Sequence, residues 1–396
     1  MNTTANYFPH AIFATQDKPT PRVLVAPQRY IQGPGVLDQM GKYLSLIDAR
    51  RVGILVSKRG QQADGVRVVA SLDDATIEHI TSTFNGECSH DEIDLHVSRL
   101  QGESLDCLIA MGGGKCVDAG KSIAFRLNVP VAIVPTLASN DAPCSAVSVL
   151  YSPEGVFAGA EFFPQNPAMV VVDTGVVANA SERYLVAGMG DAMATWYEAR
   201  VCLKNPNATS TIGARPTLAS YALGEICANT LFEEGVAAAA AVAANRVDES
   251  LEKVVEANTL LSGLGFESGG LAVAHSVAQS YTAVPAVHAN YLHGEMVAMG
   301  TLTQLTMESE EEARRVAEFF VEVGLPVHLG QISLAADDGA ALATVIETTM
   351  ASPIIHNMTM PMTTEYVRAS ILGAHELGLS VTESSGDDAY RKLHGA

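Results

Sequence analysis

The chain has 396 residues, 48% of them hydrophobic and 17% charged, enough apolar material for two packed domains and too much for a disordered chain. Lys and Arg number 24 against 44 Asp and Glu, giving a formal charge of −20. A surface this acidic repels phosphate backbones and anionic lipid, so neither nucleic acid nor a membrane is expected as a partner.

Residues 1–21 lack a basic head followed by an apolar core, so they are not a secretory signal and read as a loose arm. From Arg22 to about Val172, short β-branched runs alternate with helical spacing. Runs 51–56, 106–111, 129–134 and 168–172 are apolar apart from the leading Arg51 and Asp106, as parallel strands covered on both faces are. Segments 92–100 and 116–127 between them have helical period, which gives a doubly wound α/β half. After Asp173 the β-branched runs stop. Segments 181–203, 217–229, 249–263, 270–281 and 295–323 read as helices, with breaks at Asn205-Pro206, Gly263-Leu264-Gly265 and Gly324-Leu325-Pro326. The Ala-rich run 235–244 is too short to cross a bilayer, and 382–396 reads as a polar tail. The expected organisation is an arm (1–21), an α/β domain (22–180) and an all-helical domain (181–396). The six cysteines are scattered singly without a CxxC, as free thiols in a reducing compartment would be; the expected location is the cytoplasm.

Gly112-Gly113-Gly114-Lys115 follows a strand and opens a helix. That arrangement is either a pyrophosphate cradle or a plain tight turn. It is not a GxGxxG fingerprint, whose third glycine falls on Val117, and Gly120-Lys121-Ser122 imitates only the end of a Walker A loop, whose first glycine falls on Lys115. The next strand runs into Pro135-Thr136-Leu137-Ala138-Ser139-Asn140-Asp141, where ligands of open α/β sheets bind. Its hydroxyls and carboxylate suit sugar or amide groups, or else an Asx-turn or cap. Asp191, His275 and His293 lie on three separate predicted helices. Together they can form a facial metal site with an open position, and Gly190 and Gly294 leave room for close approach; singly, each His is more often an ordinary core or surface residue. His288 is the nearest competitor. The remaining histidines (10, 79, 90, 96, 328, 356, 375 and 394) read as structural or solvent-facing.

The strings GGGKCVDAGKSIA, VPVAIVPTLASNDAPCSA, GMGDAMATWYEAR, EANTLLSGLGFESGGLAVAHS, YLHGEMVAMGTLTQL and IIHNM resemble the glycerol dehydrogenase branch of the iron-containing alcohol dehydrogenase superfamily, from about Val25 to Gly378. The resemblance implies a nucleotide-binding α/β domain, a helical domain of dehydroquinate synthase-like architecture, and zinc plus NAD in the cleft between them. It places zinc on Asp191, His275 and His293, and a substrate contact on Asp141. It places dinucleotide contacts on Gly112, Gly113, Gly114, Lys115, Thr136, Ser139, Ser145, Val147 and Tyr151. The Asp that reads the adenosine ribose is replaced by Ser57, followed by Lys58 and Arg59, so NADP is admitted beside NAD. Iron-dependent relatives carry a further His one turn after the Asp, where this chain has Thr195, which favours zinc.

The reading is a zinc-dependent, NAD(P)-linked dehydrogenase of a small secondary alcohol, glycerol or a related vicinal diol, in a homo-oligomer. Three rivals are a dehydrogenase of another small alcohol such as 1-amino-2-propanol, a dehydroquinate synthase-like lyase, and a metal-free scaffold. The lyase needs several cations for its anionic substrate, and 136–200 offers only Arg183 and Arg200.

Overall fold

Alternate residues of a strand point to opposite faces, so a sheet covered on both sides needs apolar residues at every position. The computed structural model, which describes residues 9–13, 19–152 and 157–395, shows this arrangement. Strands β1 (Tyr30–Gly33), β2 (Arg51–Ser57), β3 (Glu78–Phe84), β4 (Cys107–Gly112), β5 (Val131–Pro135) and β8 (Met169–Asp173) form one parallel sheet in the order β1-β8-β5-β4-β2-β3. Leu55, Leu108, Ala110 and Ile133 enter the core on one face, and Val52, Ile54, Ile109 and Ala132 the core on the other. The four runs expected from sequence are the interior strands. β1 and β3 were not expected, because an edge strand carries polar residues: β3 reads Glu-His-Ile-Thr-Ser-Thr-Phe and is half-exposed. β6 (Val147–Tyr151) and β7 (Phe157–Phe162) form a separate antiparallel hairpin.

Helices of seven residues or more are numbered. α1 (Gly65–Asp74), α2 (His90–Leu100) and α3 (Gly114–Leu127) cover the sheet. On α2, His96 is a satisfied core residue, bonded to Ser82 Oγ (2.6 Å) and Glu92 Oε1 (2.9 Å).

Beyond Asp173 the described chain is helical, with α4 (Glu182–Lys204), α5 (Leu218–Ala243), α6 (Glu249–Glu256), α7 (Ser262–Gly269) and α8 (Val273–Tyr281). α9 (His293–Glu308), α10 (Glu310–Val323), α11 (Gly339–Ala351), α12 (Thr364–Ser385) and α13 (Asp388–His394) complete it. Four expectations change. Segments 217–229 and 235–244 belong to one helix, α5, of 26 residues, because no breaker separates them. By length and composition α5 could cross a membrane, but Cys227, Leu231, Ala238 and Val242 are buried against protein. No break occurs at Gly263-Leu264-Gly265: α6 runs through a π-helical turn (Ala257–Leu261) into α7. Both glycines serve packing there, since a Cβ would lie 2.9 Å from Cys144 Cβ at Gly263 and 2.3 Å from Thr195 Cγ2 at Gly265. The span 295–323 divides at Ser309, whose hydroxyl caps α10 by accepting from Glu312 N–H (3.3 Å). Finally, 382–396 is not a tail. It ends α12 and forms α13, which buries Tyr390 and bonds Lys392 Nζ to Glu182 (2.6 Å). Most of the expected arm lies outside the described residues; within it Pro9–Phe13 is a short helix.

The two halves are pinned by polar contacts, one partly and one fully buried. Gln32 Nε2 donates to Glu252 Oε2 (2.6 Å), and Glu267 Oε1 accepts from the Ala146 N–H (2.8 Å).

Candidate active site

Two helices can bring short side chains together only if their backbones nearly touch. α4 and α9 do so at a pair of glycines: a Cβ on Gly190 would lie 2.4 Å from Gly294 O, and one on Gly294 would lie 1.7 Å from Ala187 O. This crossing sets Asp191 of α4 beside His293, the first residue of α9. His275, in the first turn of α8, approaches from the other side. Asp191 Oδ1 stands 3.4 Å from His275 Nε2 and 3.4 Å from His293 Nε2. One donor atom from each residue fits within 4.8 Å of the others, the only such cluster of three or more among the described residues.

Asp191 is fully buried, and its Oδ1 accepts no hydrogen bond. An unpaired carboxylate oxygen in the interior is costly unless positive charge occupies the gap it faces. Burial works against its charged form, but the two imidazoles hold its carboxyl well below the ordinary range. Burial likewise opposes a charge on His275, and Glu198 with Asp191 outweighs it, holding the imidazole well above its usual value. A nitrogen–nitrogen–oxygen set around an orphaned carboxylate oxygen fits a divalent cation of the zinc or iron class, with a position left for a ligand.

The other glycine of α4, Gly188, ties this centre to the α/β half. A Cβ on Gly188 would lie 2.0 Å from Ala138 O, which also accepts from Asn258 Nδ2 (3.0 Å). The loop after β5 therefore lies directly on α4, and the Asp141 N–H donates to Asp191 Oδ2 (3.1 Å). Asp141 is buried; that burial, and then the Asp191 charge, push its carboxyl well above the usual range. Its Oδ2 accepts from Ser262 Oγ (3.1 Å), which in turn bonds Thr195 Oγ1 (2.8 Å).

One residue earlier, Asn140 touches the glycine loop: a Cβ on Gly114 would lie 2.5 Å from Asn140 Nδ2. Gly112 and Gly113 end β4 and lead into α3, and the Thr136 N–H donates to Gly112 O (3.0 Å). The loop sits near the point where strand order reverses between β2 and β4, the usual crevice of open α/β sheets. Lys115 Nζ pairs with Glu87 (2.6 Å) and lies 5.2 Å from the centre of the Tyr151 ring. Ser139 is half-buried in the same loop.

Ser145 and Val147 are held from beneath. Lys121, itself buried, donates to Ser145 Oγ (3.2 Å), Val147 O (2.7 Å), Ala142 O (2.6 Å) and Asp118 Oδ1 (3.1 Å). The lysine that imitates a Walker motif is thus a strut under the loop. Ser57 caps the turn after β2 by accepting from the Gly60 N–H (3.1 Å), with Lys58 and Arg59 exposed beside it.

The structure brings Asp141, Asp191, His275 and His293 into one cluster and places the Gly112–Gly114 loop one residue away. Ser57 lies apart from them, at the end of β2. His288 joins no group of metal-capable donors among the described residues. Sequence reasoning missed Glu198 and Ser262. Glu198 falls seven residues, two helical turns, after Asp191, a spacing that puts both carboxylates on one face of α4.

Known proteins resemble this chain in sequence and in fold. The sequence profile described as "Iron-containing alcohol dehydrogenase" matches residues 27–174. The chain is 45% identical over 364 residues to a glycerol dehydrogenase of Escherichia coli O6:H1, covering 90% of this chain and 97% of that protein. The chain belongs to the iron-containing alcohol dehydrogenase family. It is an oxidoreductase, and its fold is that of family members with solved structures. The glycerol dehydrogenase of Schizosaccharomyces pombe superposes with a TM-score of 0.88 at 32% identity, covering 94% of this chain and 95% of that one. A probable glycerol dehydrogenase of Sinorhizobium meliloti 1021 superposes with a TM-score of 0.84 at 36% identity, covering 91% and 99%.

Proposed function

We propose that this family member oxidises a small vicinal diol, glycerol to dihydroxyacetone, with NAD and a zinc ion held by Asp191, His275 and His293. The observation that carries the reading is the buried, unpartnered Asp191 Oδ1, which faces two imidazole nitrogens and lies next to a loop that reaches a glycine-rich strand end. Zinc rather than iron is favoured by Thr195, whose hydroxyl is engaged with Ser262 instead of adding a nitrogen donor. A divalent cation supplies Lewis acidity toward a substrate hydroxyl, and the nicotinamide supplies a hydride acceptor.

The chain's own residues do the positioning. Backbone N–H groups at Gly113, Gly114 and Lys115, with the start of α3, would hold the pyrophosphate. Thr136, Ser139, Val147 and Tyr151 would line the rest of the dinucleotide site, while Ser145 supports it through Lys121. Asp141 would hydrogen-bond the second hydroxyl, its carboxyl group held in place by Ser262. The proximity of the two sites, joined through Asn140 and Asp141, is the main catalytic contribution of the fold.

A lyase acting on a phosphorylated carboxylate is disfavoured. Arg183 is bound to Glu295 (2.6 Å) and Arg200 to Glu312 (2.6 Å), so neither is free to hold an anion. Six cysteines without a disulfide suit a reducing cytoplasm, and the family resemblance supports a homo-oligomer.

The test is kcat/KM for glycerol, 1,2-propanediol, 1-amino-2-propanol, 2-propanol and glycerol 1-phosphate, in wild type and Asp141→Asn. In the variant, Ser262 retains a carbonyl acceptor and the amide NH₂ takes the side facing substrate. Glycerol and 1,2-propanediol are expected to lose at least tenfold more than 2-propanol. Equal losses, or a preference for the phosphate ester, would contradict the reading.

A further inference from the structure

An imidazole can donate a lone pair to a metal only from the nitrogen that carries no proton, so whatever fixes its tautomer decides whether it is a ligand. His293 is half-exposed at the start of α9. His275 is held differently. Glu198, fully buried on α4, receives three N–H groups from the segment that carries it. Its Oε1 accepts from the backbone N–H of Ala272 (2.7 Å) and of His275 (3.0 Å), and its Oε2 accepts from His275 Nδ1 (2.6 Å). Ala272 has no side-chain cap to offer at the N-cap position of α8, so these carboxylate bonds also satisfy the helix start.

We infer that Glu198 is a positioning residue of the metal centre, holding the Nδ1–H of His275 so that Nε2 is the nitrogen left to face a metal in the gap beside Asp191 Oδ1. The inference rests on the metal-site reading above and adds a residue to it. An ionised carboxylate can only accept, so Nδ1 must be the protonated nitrogen. Because Asp191 and Glu198 sit two turns apart on the same helix, α4 supplies one ligand itself and aims the second. His293 depends instead on the α4–α9 crossing.

Two variants separate aiming from helix capping. In Glu198→Gln the carbonyl oxygen takes the place of Oε1, where two backbone N–H groups demand an acceptor. The NH₂ then faces Nδ1 as a donor, which moves the imidazole proton to Nε2 and blocks the metal. Glu198→Ala removes the cap as well. The measurements are zinc affinity by competition with a chromogenic chelator, melting temperature of the metal-free protein, and the His275 tautomer from 15N chemical shifts of ring-labelled histidine. The expected result for Glu198→Gln is a metal-free melting temperature close to wild type, an Nε2–H imidazole at His275, and zinc affinity reduced about 10- to 100-fold. Glu198→Ala is expected to lose affinity and to melt lower. Wild-type affinity within threefold in Glu198→Gln would overturn the inference while leaving the metal-site reading standing. A Glu198→Gln variant that melts as low as Glu198→Ala and keeps the Nδ1–H tautomer would also overturn it, assigning Glu198 to the helix cap alone. Wild-type protein that binds no zinc would overturn both.

Discussion

Replacing Gly294 by alanine tests whether the glycine contact between α4 and α9 builds the metal centre. The added Cβ would lie 1.7 Å from Ala187 O and 2.6 Å from Ala187 C, both backbone atoms that no rotamer change can move. Reaching the ~3.3 Å of an ordinary C···O contact requires the helices to separate by about 1.5 Å. Overpacking of this kind costs about 1–3 kcal/mol, and a clash with fixed backbone belongs at the upper end. The functional loss is expected to be larger. Asp191 and His293 ride on the two helices being separated, and metal–ligand distances tolerate only about 0.2 Å. Zinc affinity is therefore expected to fall about 100-fold or more, with unfolding in urea shifted by about 3 kcal/mol. Gly373→Ala is the control, because Gly373 is exposed within α12 with nothing within 4 Å of a built Cβ. It is expected to be neutral or to stabilise by about 0.5–1 kcal/mol. Gly294→Ala with zinc affinity within threefold of wild type would refute the reasoning.

Two further predictions concern the α/β half and its contact with the helices. Burial pushes the Glu267 carboxyl up to about 7, against the hydrogen bonds from Ala146 and Asn166 that favour its ionised form. Its pKa in the folded state is raised, so its contribution to stability is full below about 4.5 and is lost as pH rises through about 7, a change of about 3 kcal/mol. Glu267→Gln is expected to flatten the fall in urea-unfolding stability between pH 5 and 8; parallel pH curves for the two proteins would refute this. Ser57→Asp keeps the cap on the turn after β2 and adds a carboxylate where the family resemblance expects the ribose to be read, so the NAD/NADP ratio of kcat/KM is expected to rise at least tenfold. An unchanged ratio would mean that this segment does not read the ribose.

The interior strands were legible because burial on both faces writes an unbroken apolar run, and the same rule hid β1 and β3, whose edges face water. Helix type was legible over the second half, but its boundaries were not. Gly263 and Gly265 look like turn residues in one dimension and are packing residues in three, a distinction made only by the neighbouring Cys144 and Thr195. Ser309, by contrast, left a readable signal in Ser-Glu-Glu-Glu, an N-cap followed by an acidic first turn. The polar character of 382–396 concealed α13, which buries Tyr390, packs Leu393 against the core and adds ion pairs from Arg391, Lys392 and His394. At the site, the Asp191, His275 and His293 cluster could be proposed from residue type and resemblance. Its supports could not, since Glu198, Ser262 and Lys121 become partners only when distant segments meet.

The central claim is that Asp191, His275 and His293 hold the metal on which oxidation of a vicinal diol depends. NAD reduction with glycerol, followed in protein stripped by a chelator and then titrated with zinc, measures it most directly. The account predicts no turnover after stripping, recovery that saturates at one zinc per chain, and no recovery in Asp191→Asn. Full turnover in stripped protein, or zinc-dependent recovery in Asp191→Asn equal to wild type, would contradict it.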